Sequence, residues 1–365
     1  MDKGKYTMSA LKQKYNNFHG PECVIQVGGK KLESKQISIQ NLEVELCADG
    51  SAGGCHFTVS AEYNREKSQW LDDLAKTIEV GAKLEIQGGY VKKEPIFFGY
   101  VDEFTLDYSG RRPPNISVTG VDGFGFLMNC QEPIYGGQKK AKQMVEEILK
   151  KAKDAGVAKS VTVGALDSFD VPPIKEQLDD FKYLRLLAER YCKSLLCVNG
   201  ELIFDDVITN TEPIITLSAL EDLLELSKRM SLRGQVGEVV VWGRDVNQKF
   251  IQGAANSVTI KGPGKSATQA AAKFAKAVRR EFCEYARTAE ECKKLAQARF
   301  NSLAMDYVSG EGVCLGLPEL IPGRYVTIES LDGSTEGSYF INKVRHTFTN
   351  RNGYKTAFEF KGAKN

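Results

Sequence analysis

The residues of this chain that could do chemistry come in small groupings, and each has a plainer reading beside it. GPGKS at 262–266 resembles the end of a phosphate-binding loop. Such a loop needs a glycine five residues before Gly264, but Thr259 stands there and no apolar strand runs into it. A turn before a helix fits better. Cys55-His56 with Cys47 or Cys23 is the nearest approach to a ligand cluster, yet the spacing matches no zinc pattern. Asp102, Glu103 and Asp107 lie close in sequence, and paired carboxylates can hydrolyse glycans. Strict alternation turns Asp102 away from the other two, so no facing pair is implied. His346 shares its side of an extended run with Val344 and Phe348, as a packing histidine does. No serine sits in G-x-S-x-G, and no cysteine has a nucleophile's context. Lys139, Lys140, Lys142, Lys150, Lys151 and Lys153 make one helix basic without the interleaved aromatics of a single-strand-binding surface. The expectation is therefore no catalytic, cofactor-binding or metal-ligating residues, and no cofactor.

Composition narrows the class further. A net charge of +2 on 365 residues provides no global field for nucleic acid or a membrane surface. The opening MDKGKYTMSALKQKYNNF lacks the apolar core of a signal peptide, and no run approaches the ~20 apolar residues that span a bilayer. The cysteines at 23, 47, 55, 130, 192, 197, 283, 292 and 314 are odd in number and irregularly spaced. They read as reduced, buried thiols of a protein made in a cytoplasm.

The elements that must position these residues are mostly strands. Short alternating runs fill 22–48, and strands are expected at 55–63, 81–90 and 115–120, with a helix over 68–78. IFFGYVDEFTLDYSG (96–110) alternates for about 40 Å, well beyond a usual strand. It should place Phe98, Tyr100, Phe104, Leu106 and Tyr108 on one face and Glu103, Thr105, Asp107 and Ser109 on the other. Amphipathic helices follow at 137–156 and 178–194, then a hairpin about Asn199-Gly200. Strands resume at Leu223, helices are expected at 266–278 and 288–307, and strands close the chain.

A repeat joins the two β-rich ends. GAKLEI aligns with GRYVTI by Gly81 and Gly323, an offset of 242, and SVTG aligns with EFKG at that offset. IFFGYV aligns with SYFINKV at 243, matching Phe97 to Phe340 and Val101 to Val344. Three strands in one order at nearly one offset suggest duplication. The expected organisation is an N-terminal segment (1–21), a first tube-like β-barrel (22–130), a small α/β domain (131–210) and a second such barrel (211–365). A helical insertion at about 266–307 falls in the second barrel. The class is mainly β with α+β parts.

Several motifs then resemble, in order, the phage late-control D and VgrG-type tail-hub proteins. TAEECKKLAQARFNSLAMDY leads into a strand, then Gly316-Leu317-Pro318, a Pro322-Gly323 turn and Val326-Thr327-Ile328. Val344-Arg345-His346 falls in the strand after that, and FKYLRLLAERYCKSLLCVNGELIFDD (181–206), IFFGYVDEF and SVTGVDGF are similar to earlier segments. The resemblance implies a baseplate hub of a contractile injection system or phage tail. Two tube-like barrels per chain in a homotrimer would join a hexameric tail tube protein to a spike, among other baseplate proteins. The chain stops at Asn365 without a β-helix, lysozyme or toxin domain, so the expected spike is a separate trimeric chain, with no catalysis, specific nucleic acid or membrane insertion. The protein would be made in the bacterial cytoplasm and assembled into a particle. A cell-wall glycan hydrolase of a tail tip and a monomeric β-barrel binding module are the alternatives.

Overall fold

A computed structural model describes residues 4–32, 37–61, 63–64, 66–67, 69–70, 77–108, 114–133, 140–166, 175, 177–274, 276–330, 333, 336–351 and 353–365. Its main feature is a 13-stranded sheet with contributions from both ends of the chain. The first end supplies β1 (Glu22–Val27), β2 (Lys30–Lys31), β3 (Ile37–Cys47) and β4 (Gly54–Ala61). A separate small pair, β5 (Tyr63–Asn64) and β6 (Gln69–Trp70), precedes β7 (Lys83–Gly89), β8 (Lys93–Asp107) and β9 (Asn115–Val121). The middle adds a three-stranded sheet of β10 (Ser160–Val163), β11 (Ser194–Val198) and β12 (Glu201–Asp205). The second end supplies β13 (Pro213–Ser218) and β14 (Leu223–Met230). A further three-stranded sheet of β15 (Glu238–Arg244), β16 (Phe250–Ala255) and β17 (Val278–Phe282) comes next. Then follow β18 (Val308–Leu315), β19 (Tyr325–Glu329), β20 (Gly337–Thr349) and β21 (Gly353–Gly362).

Within the large sheet the two ends share one strand order. The first runs β3-β4-β9-β8-β7-β1 and the second β14-β18-β21-β20-β19-β13. All neighbours are antiparallel except β13 and β19, which are parallel where β1 and β7 are not. A β-bulge recurs in the long strands. In β8 it lies between Val101 and Glu103, and in β20 between Ile341 and Lys343. The residue opposite the position after the bulge is exposed in each half: Thr119 in β9 and Glu359 in β21. Aligned by their bulges, Val101 matches Ile341 and Asp102 matches Asn342. This corrects the motif alignment of Val101 with Val344. Apolar residues look alike at several positions along a strand, whereas a bulge marks a single one.

The bulge also corrects the expected faces of β8. One extra residue inverts the side-chain alternation. Phe97, Val101 and Phe104 face the main core, while Phe98 and Tyr100 turn the other way. There Phe98 packs on Gly200 between the Lys83 and Lys159 amines, and the Tyr100 hydroxyl lies beside Gly125. Glu103, Thr105 and Asp107 are exposed, as their alternation with Phe104 and Leu106 predicts.

Two apolar cores result. The larger is shared by both ends of the chain, uniting Val44, Leu46, Phe57 and Val118 with Val344, Phe358 and Phe360. The helix Met8–Lys14, not anticipated within the N-terminal segment, buries Leu11 there, and Tyr15 just after it is also fully buried. The smaller core lies under the middle sheet and the β15–β17 sheet together, where Phe124, Ile148 and Leu184 meet Val239, Val241 and Leu295.

The helices Ala141–Asp154, Asp180–Tyr191 and Ala289–Ala304 fall where their periodicity predicts. Asp179 caps the second by accepting the Lys182 N–H at 2.7 Å, and Thr288 with Glu291 forms a capping box on the third. Asn199 (φ 50°) and Gly200 (φ 86°) adopt the left-handed backbone that a tight β11–β12 hairpin requires. One expected helix is shorter than its span, and the start of another is strand while Thr77 near its end is helical. Among the described residues of 266–278 only Ala267–Ala270 is helical, and Val278 begins β17 beside β15. The alanines give helix propensity but no apolar face with a surface to cover, and Phe274 is left exposed. Within 68–78, Gln69–Trp70 is a strand paired with Tyr63–Asn64, its Trp70 ring edge-on to Tyr63 at 5.2 Å. Positions 68 and 71–76 lie outside the described residues. Among the described residues no helix is long and apolar enough to cross a membrane.

Candidate functional site

The two ends of the chain meet where β20 pairs with β3, in antiparallel register from Lys343 opposite Cys47 to Phe348 opposite Leu42. β20 has β21 on one edge along most of its length. Its other edge takes β19 at Gly337–Phe340 and then β3 at Lys343–Phe348. The inward side of this junction is apolar and closed: Val344 and Val44 are fully buried, as is His346. The His346 ring lies 3.0 Å from both the Thr356 and the Tyr354 hydroxyls. Burial drives its pKa down to about 3, which keeps the imidazole neutral. Phe348 stacks on Tyr354 at 3.9 Å, and its ring lies against Gly88, where a Cβ would come within 2.8 Å.

The outward side is an ionic ladder. Glu45 accepts from Lys343 at 2.9 Å and Arg345 at 3.2 Å, and Arg345 also reaches Glu43 at 3.4 Å. These hydrogen bonds and charges overcome the opposing effect of burial and lower the Glu45 pKa. The pairs are a quarter to half exposed, so they set register more than stability.

The long strand β8 is built alike up to its bulge. It has β9 on one edge and β7 on the other as far as Tyr100. Beyond the bulge, Glu103–Asp107 retains β9 alone, and no strand among the described residues takes the place that β3 has beside β20. β14, the counterpart of β3, likewise has β18 on one edge and no strand on the other among the described residues.

Several residues of the groupings singled out for chemistry are engaged within the fold. In GPGKS, Lys265 exchanges backbone hydrogen bonds with Asn365, and Gly264 packs directly on that residue. The backbone N–H that a phosphate loop would offer is thus used within the chain. Cys47 and Cys55 are buried and Cys23 is partly so; burial raises the Cys23 thiol to about 11 and Cys47 to about 12. Among the described residues no three His, Cys, Asp or Glu gather as metal ligands. Asp102 and Glu103 are exposed at the bulge, with Asp107 further along, and they line none of the principal cavities. On the basic helix, Lys151 bridges Glu132 at 2.8 Å and buried Asp180 at 3.0 Å, while Lys142 faces Glu146. Asp180 also pairs with buried Lys175.

Sequence reasoning gave no weight to Asp122. Its fully buried carboxylate accepts N–H groups of Gly53 (2.7 Å) and Phe124 (2.9 Å), tying β4 to the helix Gly123–Met128. Burial outweighs these hydrogen bonds and raises its pKa to about 7. The D-G pair that starts the helix is its only trace in sequence. A cleft of about 980 Å³ opens beside Glu189, Arg190, Glu281, Cys283, Tyr285 and Arg299. Several of its charges are engaged: Arg299 pairs with Glu189 and Glu281, and Arg190 lies over the Tyr285 ring.

The model of the Alg8 N-terminal domain family matches residues 22–350. No curated relative matches in sequence. Among solved structures, the tail protein from Neisseria meningitidis MC58 superposes with a TM-score of 0.67 at 13% identity, covering 94% of this chain and 97% of that one. The 43 kDa tail protein of prophage MuSo2 from Shewanella oneidensis gives 0.68 at 15%, covering 93% and 98%. The E. coli c3393 protein gives 0.53 at 13%, covering 92% and 76%; it is described as a component of the type VI secretion system, similar to T4 bacteriophage tail proteins. The matching family bears a different name from the late-control D and VgrG-type resemblance, but the shared fold is the β-rich one that resemblance predicts.

Proposed function

The chain belongs to the Alg8 N-terminal domain family, and from that premise we propose that it is a structural hub of a phage tail or contractile injection particle. Three copies form a ring of six related β units, two from each chain, corresponding to 22–130 and 211–365. A hexameric tail tube protein stacks on one side of the ring and a separate trimeric spike on the other, with other baseplate proteins around them. The chain is made in the bacterial cytoplasm and acts by assembly, without catalysis, cofactor, specific nucleic acid or membrane insertion.

One observation carries this reading: the same six-strand order occurs twice in one sheet, with a bulge at the same place in each long strand. Duplication gives each chain two similar docking units, and a three-fold ring of such chains presents six. Light scattering at high concentration, alone and with tube and spike proteins added, tests it. The expected particle has three times the 40.4 kDa chain mass. A chain that stays monomeric in every mixture overturns the hub. Hydrolysis of peptidoglycan abolished by substituting one acidic residue would overturn the non-catalytic reading.

A further inference from the structure

Within one chain, the edge of β20 beyond its bulge is filled by β3; the matching edge of β8 and the matching edge of β14 carry no strand among the described residues. The two vacant edges are the two halves of one junction. We propose that β8 of one copy pairs antiparallel with β14 of a second copy, in the register that β20 and β3 use inside the chain. This rests on the ring reading above and deepens it by assigning the surface and its alignment.

The register follows from shared partners. Glu103 after the bulge corresponds to Lys343, and Asp107 to Thr347. Working across β9 and β21, then β4 and β18, Glu43 corresponds to Ser227, Val44 to Lys228 and Glu45 to Arg229. Inside the chain Arg345 faces Glu45 and Thr347 faces Glu43. Between chains Thr105 then faces Arg229, and Asp107 faces Ser227.

Two independent properties fit that alignment. The first is burial. Leu106 is 38% exposed and Tyr108 57%, whereas their counterparts His346 and Phe348 are 0% and 9%. On the other side Met230 is 50% exposed, where its counterpart Leu46 is 2%. Large apolar side chains stand open at the positions that the filled junction closes. The second is charge. The proposed register sets the Arg229 guanidinium between Glu103 and Asp107, one pleat to either side. Inside the chain the signs are reversed, with Glu45 between Lys343 and Arg345 as its partners. A head-to-tail contact of this kind propagates from copy to copy until it closes. An edge left bare would otherwise be a template for irregular pairing.

Cross-linking tests the register. The double variant Asp107→Cys/Ser227→Cys keeps Glu103 and Arg229 and puts thiols on facing residues. The control Thr347→Cys/Glu43→Cys does the same at the filled junction and should link within a single chain. Under mild oxidation the first should give covalent multimers ending at three chains. At least tenfold less should form with unmodified protein or with Asp107→Cys/Leu226→Cys, which is one residue out of register. If scattering shows association but the facing pair links no better than the shifted pair, the proposed junction is wrong and the ring stands. If the unmodified chain remains monomeric even with tube and spike proteins, the ring reading falls and the junction falls with it.

Discussion

β8 and β20 are built on one plan and end differently. Each is long, with 15 and 13 residues, each carries a bulge after a buried aliphatic residue, and each is held on one edge by the strand that follows it. Past the bulge β20 is enclosed, while β8 projects with one edge unoccupied among the described residues. The side chains record the difference. β20 places His346 in a site so dry that the ring stays neutral, where β8 has a Leu106 that is more than a third exposed. A strand of this length is therefore more than one half of the sheet needs. In β20 the first part pairs with β19 of the same end of the chain and the second part pairs with β3 of the other end.

The sharpest way to break that comparison is to truncate equivalent residues. Leu46→Ala should cost about 2–5 kcal/mol of stability, since Leu46 is buried in the shared core. Met230→Ala, at the counterpart position, should change monomer stability by no more than ~0.5 kcal/mol. Denaturant titrations at dilutions where the chain is monomeric would measure both. Equal losses would mean that β14 is already covered within one chain.

Acid response comes next in size, and here two groups oppose each other. His346 has a folded pKa near 3, below its ordinary 6.5, so its contribution is complete above 6.5 and is lost as pH falls toward 3. Asp122 is raised from 3.8 to about 7, so its contribution is complete below 3.8 and is lost as pH rises through 7. Between pH 4 and 6.5 the two should nearly cancel. Asp122→Asn should leave stability falling by ~1.4 kcal/mol per pH unit as pH decreases through that window, and His346→Gln should leave it falling as pH increases. Melting temperature against pH measures the slopes. A wild-type protein that loses stability steeply below pH 6.5 would show that Asp122 does not offset His346.

Charge at the open edge should act on association alone. Arg229→Glu should weaken self-association about tenfold, or ~1.4 kcal/mol, by setting three anions together. Adding Glu103→Lys and Asp107→Lys should restore it. Sedimentation at several concentrations would show both effects, and an Arg229→Glu chain that assembles like wild type would separate β8 from β14.

The smallest effect belongs to the filled ladder. Glu45→Gln should cost at most about 1 kcal/mol, because its partners are partly solvated and salt already screens them. A larger loss in thermal melts would mean that these ion pairs hold the two ends together, and not merely in register.

The amino-acid order alone determined the parts governed by local physics. Alternation specified the long strand, helical spacing specified two helices, and Asn199-Gly200 specified a hairpin, while the capping residues Asp179 and Thr288 emerged from the structure. Low-identity matches pointed to a repeated strand order, because paired strands tolerate many apolar residues but keep their order, yet they set the long strands and the strands after them out of register by two or three residues. Tertiary structure decided what alternation cannot carry. An extra residue at Asp102 inverts the faces of β8, so Phe98 and Tyr100 leave the core that strict alternation assigned to them. The 266–278 stretch does not end as a helix, because Val278 enters a strand pairing with β15 that no local pattern announces. The union of the two ends through β3 and β20 lies in no local pattern. It joins residues about three hundred positions apart, and only the folded sheet brings Glu45 to Lys343 and Arg345.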